Sequence, residues 1–94
     1  MPILAFDSNK DAINQQKHGM ALGVAGELAW DEALSWEDSR KDYGENRMCA
    51  LVPMEDRLYF VAYVDRPPAA PAERRIISLR KANLREVHRY VTEY

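Results

Sequence analysis

Two adjacent apolar runs constrain the fold of this 94-residue chain more than any other feature. Residues 47–52, RMCALV, and residues 58–64, LYFVAYV, are rich in aromatic and β-branched side chains, and the five-residue connector PMEDR separates them. This pattern predicts the two strands of a β-hairpin. Because both runs are apolar at consecutive positions, both faces of each strand should be buried, which places the hairpin in the middle of a sheet.

The flanking segments predict the remaining elements. Asp7 and Ser8 can each cap a helix over about residues 9–18, and Gly19 supplies a helix stop. A second helical segment is expected at 21–30, although Gly23 and Gly26 lower its propensity. The other predicted elements are a first strand at 3–6, a short strand at 33–38, a polar connector at 39–46, a Pro/Ala loop at 65–73, a strand at 74–79 and a closing helix at 83–94.

Length and element order together predict one domain over residues 1–94. A chain of this size can form one hydrophobic core but not two independently stable ones. The order of strand, helices, antiparallel strands and closing helix predicts an α+β two-layer sandwich. Its sheet should be mainly antiparallel with three or four strands, and helices should cover one face. The other face would then be open to a substrate.

Charge and cysteine content narrow the classes of function. The net charge is −2, yet residues 74–94 carry six basic and two acidic side chains, so phosphate could be attracted locally. Cys49 is the single cysteine, so an intramolecular disulfide is excluded. No Cys/His cluster has metal-site spacing, and neither a metal nor another cofactor is expected. No signal peptide or membrane-spanning run is visible, which predicts a cytoplasmic protein without membrane contact.

The basic strand RRIISLRK suggests where chemistry could occur. Strict alternation sends Ser78 and Arg80 to one face and Arg75 to the other. If the open face carries Ser78 and Arg80, Tyr59 and Tyr63 of the neighbouring strand could stand beside them. Guanidinium binds phosphate and aromatic rings stack on unpaired bases. The alternative is that the tyrosines are half-buried sheet residues and that Arg80 is solvated.

Histidine is the other candidate source of chemistry. His18 follows Lys17 at the end of the first helix, where it could cap backbone carbonyls or act as a general acid or base near neutral pH. His88 lies on the apolar stripe of the last helix, so we expect it to have a packing role.

Four blocks, taken in order, carry a resemblance that covers nearly the whole chain. They are FDSNKDAINQQKHG, EDSRKDYGENR, RLYFVAYVDR and RRIISLRKANLREVHRY. Their combination resembles the BrnT family of ribonuclease toxins from bacterial type II toxin–antitoxin systems. The matching positions are Phe6, Lys10, Asn14, Lys17, His18, Gly19, Gly44, Glu45, Arg47, Arg75 through Ala82, Glu86 and Tyr90.

The resemblance implies a RelE-like fold, RNA cleavage without a metal and a cognate BrnA-like antitoxin that neutralises the toxin. DNA would be contacted only indirectly, through the antitoxin. The oligomeric state is left open between a homodimer and a toxin–antitoxin heterotetramer.

Site roles follow from the same resemblance and from the chemistry of RNA cleavage. His18 is the candidate general acid or base, and Arg47 and Arg80 are candidate phosphate clamps. The candidate substrate contacts are Lys17, Tyr63, Ser78 and Lys81.

One segment departs from the family pattern. Residues 20–25, MALGVA, stand where members commonly have VSFEEA, so the charged face of that helix is missing. The alternative to an active enzyme is therefore a non-enzymatic interaction module that binds an antitoxin-like partner and supports operon repression.

Overall fold

The computed structural model describes residues 2–39 and 44–94. Within them the fold is α+β, as predicted from the sequence. The elements in chain order are β1 Ile3–Phe6, α1 Ser8–His18, two 3-10 segments Leu22–Glu27 and Trp30–Glu32, β2 Leu34–Glu37, β3 Arg47–Met54, β4 Arg57–Arg66, β5 Glu73–Lys81 and α2 Leu84–Glu93. The predicted connector at 39–46 lies partly outside the described residues.

The strands form one mixed sheet in the order β1-β5-β4-β3-β2. β1 pairs with β5 in parallel, and the other three pairs are antiparallel. The prediction of a mainly antiparallel sheet with three or four strands is therefore wrong. A strand of four residues gives no sequence signal for its partner or its direction, so the parallel edge pair formed by β1 could not be read from ILAF.

The central hairpin is tighter than expected. β3 runs on to Met54 and β4 begins at Arg57, so the turn is Glu55-Asp56, with Glu55 at φ 58°. Pro53 reads as a strand end, but it pairs with Leu58 near the hairpin tip, beyond the last residue that β2 pairs. Proline has no N–H to donate, and it is tolerated there because β2 does not extend far enough to accept a hydrogen bond from this position.

One face of the sheet packs against the 3-10 segments rather than against the helix predicted at 21–30. Leu22 and Ala25 are fully buried, and the Trp30 indole donates to the Ala25 carbonyl at 2.8 Å. This face holds the main hydrophobic core, which comprises Leu22, Ala25, Leu28, Ala50, Val52, Tyr59, Val61, Tyr63, Ile76 and Leu79. We call it the core face and the other side of the sheet the opposite face.

Helix α1 is fixed to the edge of β5 by one buried side chain. Asn14 is 4% exposed, donates to the Leu79 carbonyl at 2.7 Å and accepts from the Leu79 amide at 3.0 Å. Its amide also donates to the Met20 carbonyl at 2.9 Å. β1 pairs with β5 only as far as Ile76, so Asn14 satisfies backbone groups that β1 leaves uncovered.

Helix α2 lies where the closing helix was predicted, but it does not pack its apolar stripe. Asn83 and Glu86 form a capping box. Leu84 and Val91 are 87% and 74% exposed. The helix is held by polar contacts instead, including a hydrogen bond of 2.6 Å from the Tyr90 hydroxyl to the Glu32 carbonyl. None of the helices in the described residues is both long and apolar enough to span a bilayer.

Candidate functional site

A bulge in β5 decides which basic residues share a face. Ser78 pairs with Ala62, but the next pair is Ile76 with Tyr63, so Ile77 is the extra residue. Alternation is interrupted there, and Arg75, Ser78 and Arg80 all pair with residues of the opposite face. The expectation that Arg75 points to the other side from Ser78 and Arg80 is wrong for this reason.

Four of the predicted site residues lie in one pocket. His18 and Lys17 come from the end of α1, Arg47 from the start of β3, and Ser78 from the middle of β5. We call this the cationic pocket; its volume is about 240 Å³ and its full lining is Lys10, Ile13, Asn14, Lys17, His18, Arg47, Ile77 and Ser78. Among the described residues, the lining of the cationic pocket contains no acidic side chain, so the pocket favours an anion.

The position of α1 explains how these groups meet. Lys10, Asn14, Lys17 and His18 follow one another at helical spacing, so they form one stripe of the helix. Because Asn14 is bonded to β5, that stripe is held beside Ser78, whose hydroxyl donates to the Asn14 side chain at 3.4 Å. The predicted site omitted Lys10, although its spacing from Lys17 already placed both on one side of α1.

Arg80 lies in a second pocket on the opposite face. We call this the aromatic pocket; its volume is about 320 Å³ and its lining is Trp36, Glu37, Asp38, Ser39, Cys49, Phe60, Arg80 and Glu86. The Arg80 guanidinium stacks on the Phe60 ring, 4.2 Å from its centroid, and Arg89 stacks on the Trp36 ring at 4.0 Å. Trp36 and Phe60 were absent from the predicted site.

An ion pair holds Arg80 in place. Its two terminal nitrogens each donate to Glu86, both at 2.8 Å. The charge-assisted bonds from Arg80 hold the pKa of Glu86 below its ordinary value of 4.5. Arg80 is thus bound bidentately within the protein, in the way predicted for its contact with phosphate.

Two further predicted contacts fall outside both pockets. Tyr63 is 2% exposed on the core face, edge-on to Trp30, and burial raises the pKa of its hydroxyl. The expectation that it stands beside Arg80 is wrong, because Tyr63 pairs with Ile76 and Arg80 pairs with Phe60. Lys81 is exposed at the end of β5 and pairs with Tyr59, on the core side.

These features define a small α+β protein with a cationic pocket that contains an imidazole, a combination suited to a phosphate ester. Comparison with known proteins identifies the family. Residues 6–86 match the family described as the ribonuclease toxin BrnT of type II toxin–antitoxin systems, and the chain belongs to that family. A search of curated proteins found no significant relative.

A solved structure supports the fold independently. The crystal structure of the Brucella abortus ribonuclease toxin BrnT superposes with a TM-score of 0.63 at 18% sequence identity. The match covers 88% of this chain and 99% of the Brucella chain. At this identity the likeness concerns the fold, which agrees with the α+β architecture described above.

Proposed function

We propose that this protein is a metal-independent endoribonuclease toxin that cleaves RNA and inhibits translation and growth until a cognate antitoxin binds it. The observation that carries the proposal is the cationic pocket, which gathers His18, Lys17 and Arg47 although Arg47 is far from the other two in the chain. Membership of a ribonuclease toxin family supports the same reaction. The relationship to RelE-type toxins and a cytoplasmic location remain part of this proposal.

The chemistry requires two proton transfers and charge stabilisation. The 2′-oxygen attacks the phosphorus as it loses its proton, and the P–O5′ bond breaks as the 5′-oxygen gains one, giving a 2′,3′-cyclic phosphate and a 5′-hydroxyl. Imidazole can move a proton near neutral pH, so His18 takes one of these two steps. The second step is left to Lys17 or to water.

Arg47 is placed to stabilise the charge that develops on phosphate. Guanidinium groups bind phosphate oxygens bidentately and remain charged at all relevant pH values. Lys10 and Lys17 add positive charge to the same pocket, and the Ser78 hydroxyl can donate a hydrogen bond. Arg80 was predicted to act here too, but it lies in the aromatic pocket, so we assign the clamp to Arg47 alone.

Initial rates of RNA cleavage by purified variants test this assignment. We expect His18→Ala to lose about 10²–10⁴-fold in rate, the range typical of a lost acid or base. Arg47→Ala should lose at least about 10²-fold, as when one charge-stabilising donor is removed. His88→Ala and Arg57→Ala are matched controls, because both side chains are exposed and neither lines the cationic pocket. Wild-type rates in both pocket variants would overturn the assignment.

The alternative, a non-enzymatic module that binds an antitoxin-like partner, is favoured by one observation. Leu84 and Val91 of α2 are exposed on its apolar stripe. Partner binding is expected of a type II toxin and is compatible with catalysis, so only the RNA assay separates the two. Tight binding to the antitoxin without cleavage, and without growth arrest on expression, would support the module.

A further inference from the structure

We propose that the aromatic pocket binds one unpaired nucleobase of single-stranded RNA, next to the phosphate held in the cationic pocket. This inference rests on the proposed function for its substrate class. It adds a binding site in which Trp36 and Phe60, with the arginines stacked on them, form the surface that holds the base. Three independent features of the pocket support it.

The first feature is the position of the pocket. Cys49, Ala62 and Ser78 form one row across β3, β4 and β5 on the opposite face. Cys49 lines the aromatic pocket and Ser78 lines the cationic pocket, so the two pockets are neighbours across this row. Along β5, Ser78 and Arg80 are two residues apart, which is about 6.6 Å of strand. One strand of RNA can therefore place a phosphate in one pocket and an adjacent base in the other.

The second feature is the chemistry of the walls. Trp36 and Phe60 have ring centroids 6.3 Å apart with their planes tilted by 54°. The planar guanidinium groups of Arg80 and Arg89 cover these rings and extend the flat surface outward. Bases stack both on aromatic rings and on guanidinium planes. A volume of about 320 Å³ is at the small end for ligand sites, which suits one base better than a larger ligand.

The third feature is the charge of the lining. Among the described residues that line the aromatic pocket, three are acidic, Glu37, Asp38 and Glu86, and one is basic, Arg80. Phosphate would be disfavoured there, in contrast to the pocket around His18. A lysine or arginine from a partner protein would be repelled by Arg80 and Arg89, which already cover the two rings, whereas a base can stack on the guanidinium planes themselves. An uncharged aromatic base fits these conditions best.

The two tryptophans make a direct binding test possible. A single-stranded all-2′-deoxy oligonucleotide lacks the 2′-hydroxyl that cleavage requires, so it reports binding alone. In NMR spectra of the ¹⁵N-labelled protein, the Trp36 indole signal should shift on titration. The Trp30 indole is hydrogen-bonded to Ala25 on the core face, and its signal should stay in place. An unmoved Trp36 signal at saturating oligonucleotide, or a shift with a lysine-rich peptide and none with the oligonucleotide, would overturn the proposal.

A scan of abasic sites tests for a single base subsite. Removing one base at a time from the oligonucleotide should weaken binding about tenfold at one position and little elsewhere, because stacking of one base contributes on this scale. We call this loss of binding at one abasic position the position effect. In Trp36→Ala the position effect should disappear, and Trp36→Phe should largely restore it. Tyr94→Ala is the matched control, because Tyr94 is an exposed aromatic at the end of α2, and the position effect should persist in it. Equal losses at every position would contradict a base subsite.

The outcomes separate this inference from the proposed function. Intact cleavage without any position effect would remove the base subsite and leave the ribonuclease assignment standing. A position effect that depends on Trp36 without cleavage of the matching RNA would overturn the ribonuclease assignment and leave the base subsite standing.

Discussion

The side chain of Asn14 offers the sharpest test of how the site is assembled. It makes hydrogen bonds to the amide and carbonyl of Leu79 and to the carbonyl of Met20. Asn14→Ala would leave these three backbone groups without this partner, the two groups of Leu79 at a buried position and the Met20 carbonyl at a partly buried one. Each such group costs about 1–3 kcal/mol, and because Asn14 lines the open cationic pocket, access of solvent favours the low end of that range. We therefore expect a loss of about 3 kcal/mol in the free energy of unfolding.

Equilibrium urea denaturation followed by circular dichroism measures this loss. Gln16→Ala is the matched control, because Gln16 is exposed on the same helix, and its effect should be within about 0.5 kcal/mol. Asn14→Asp should also destabilise the fold, since a carboxylate can accept from the Leu79 amide but cannot donate to the two carbonyls. A change below about 1 kcal/mol in Asn14→Ala would refute the view that this residue attaches α1 to the sheet.

Three further predictions concern the core, α2 and the helix stop. Leu79 is fully buried, so Leu79→Ala should lower the free energy of unfolding, measured by urea denaturation, by about 2–5 kcal/mol. Leu84→Ala is the control, because Leu84 is exposed, and it should change this free energy little. Because the pKa of Glu86 is lowered by Arg80, its contribution to stability is fully present above its ordinary pKa of 4.5 and is lost as the pH falls below it. As the pH is lowered through this value, the melting temperature of the wild type should fall more steeply than that of Glu86→Gln. An equal dependence of melting temperature on pH in the two proteins would contradict the ion pair. Gly19 has φ 68°, so Gly19→Ala should cost about 1 kcal/mol by urea denaturation, and no loss would argue against the left-handed helix stop.

The strands of the hairpin could be predicted from the sequence because consecutive apolar residues indicate that both faces of each strand are buried. β3 and β4 include the predicted runs, and α2 lies within the closing helix predicted at 83–94, with Asn83 as its N-cap. The secondary structure of segment 21–30 was harder to predict. Its apolar residues do face the core, but with Gly23 and Gly26 in it the chain forms 3-10 turns instead of an α-helix.

The candidate site was predictable as a set of residue types but not as an arrangement. The stripe of α1 that carries Lys17 and His18 follows from helical spacing. The bulge at Ile77 has no signal in RRIISLRK, and it reverses the face expected for Arg75 relative to Ser78 and Arg80. The division of basic residues between two pockets also depends on the Arg80–Glu86 ion pair, which spans the end of β5 and the start of α2. Such tertiary pairings cannot be read from local patterns.

Cleavage of RNA in excess EDTA, followed by analysis of the chemical ends of the products, tests whether this protein is a metal-independent ribonuclease. We expect cleavage to persist without divalent metal and to yield 2′,3′-cyclic phosphate and 5′-hydroxyl ends. It should stop when the scissile nucleotide is 2′-deoxy and slow by about 10²–10⁴-fold when His18 is replaced by alanine. Loss of cleavage in EDTA with recovery on added Mg²⁺, or cleavage at a 2′-deoxy position, would contradict it.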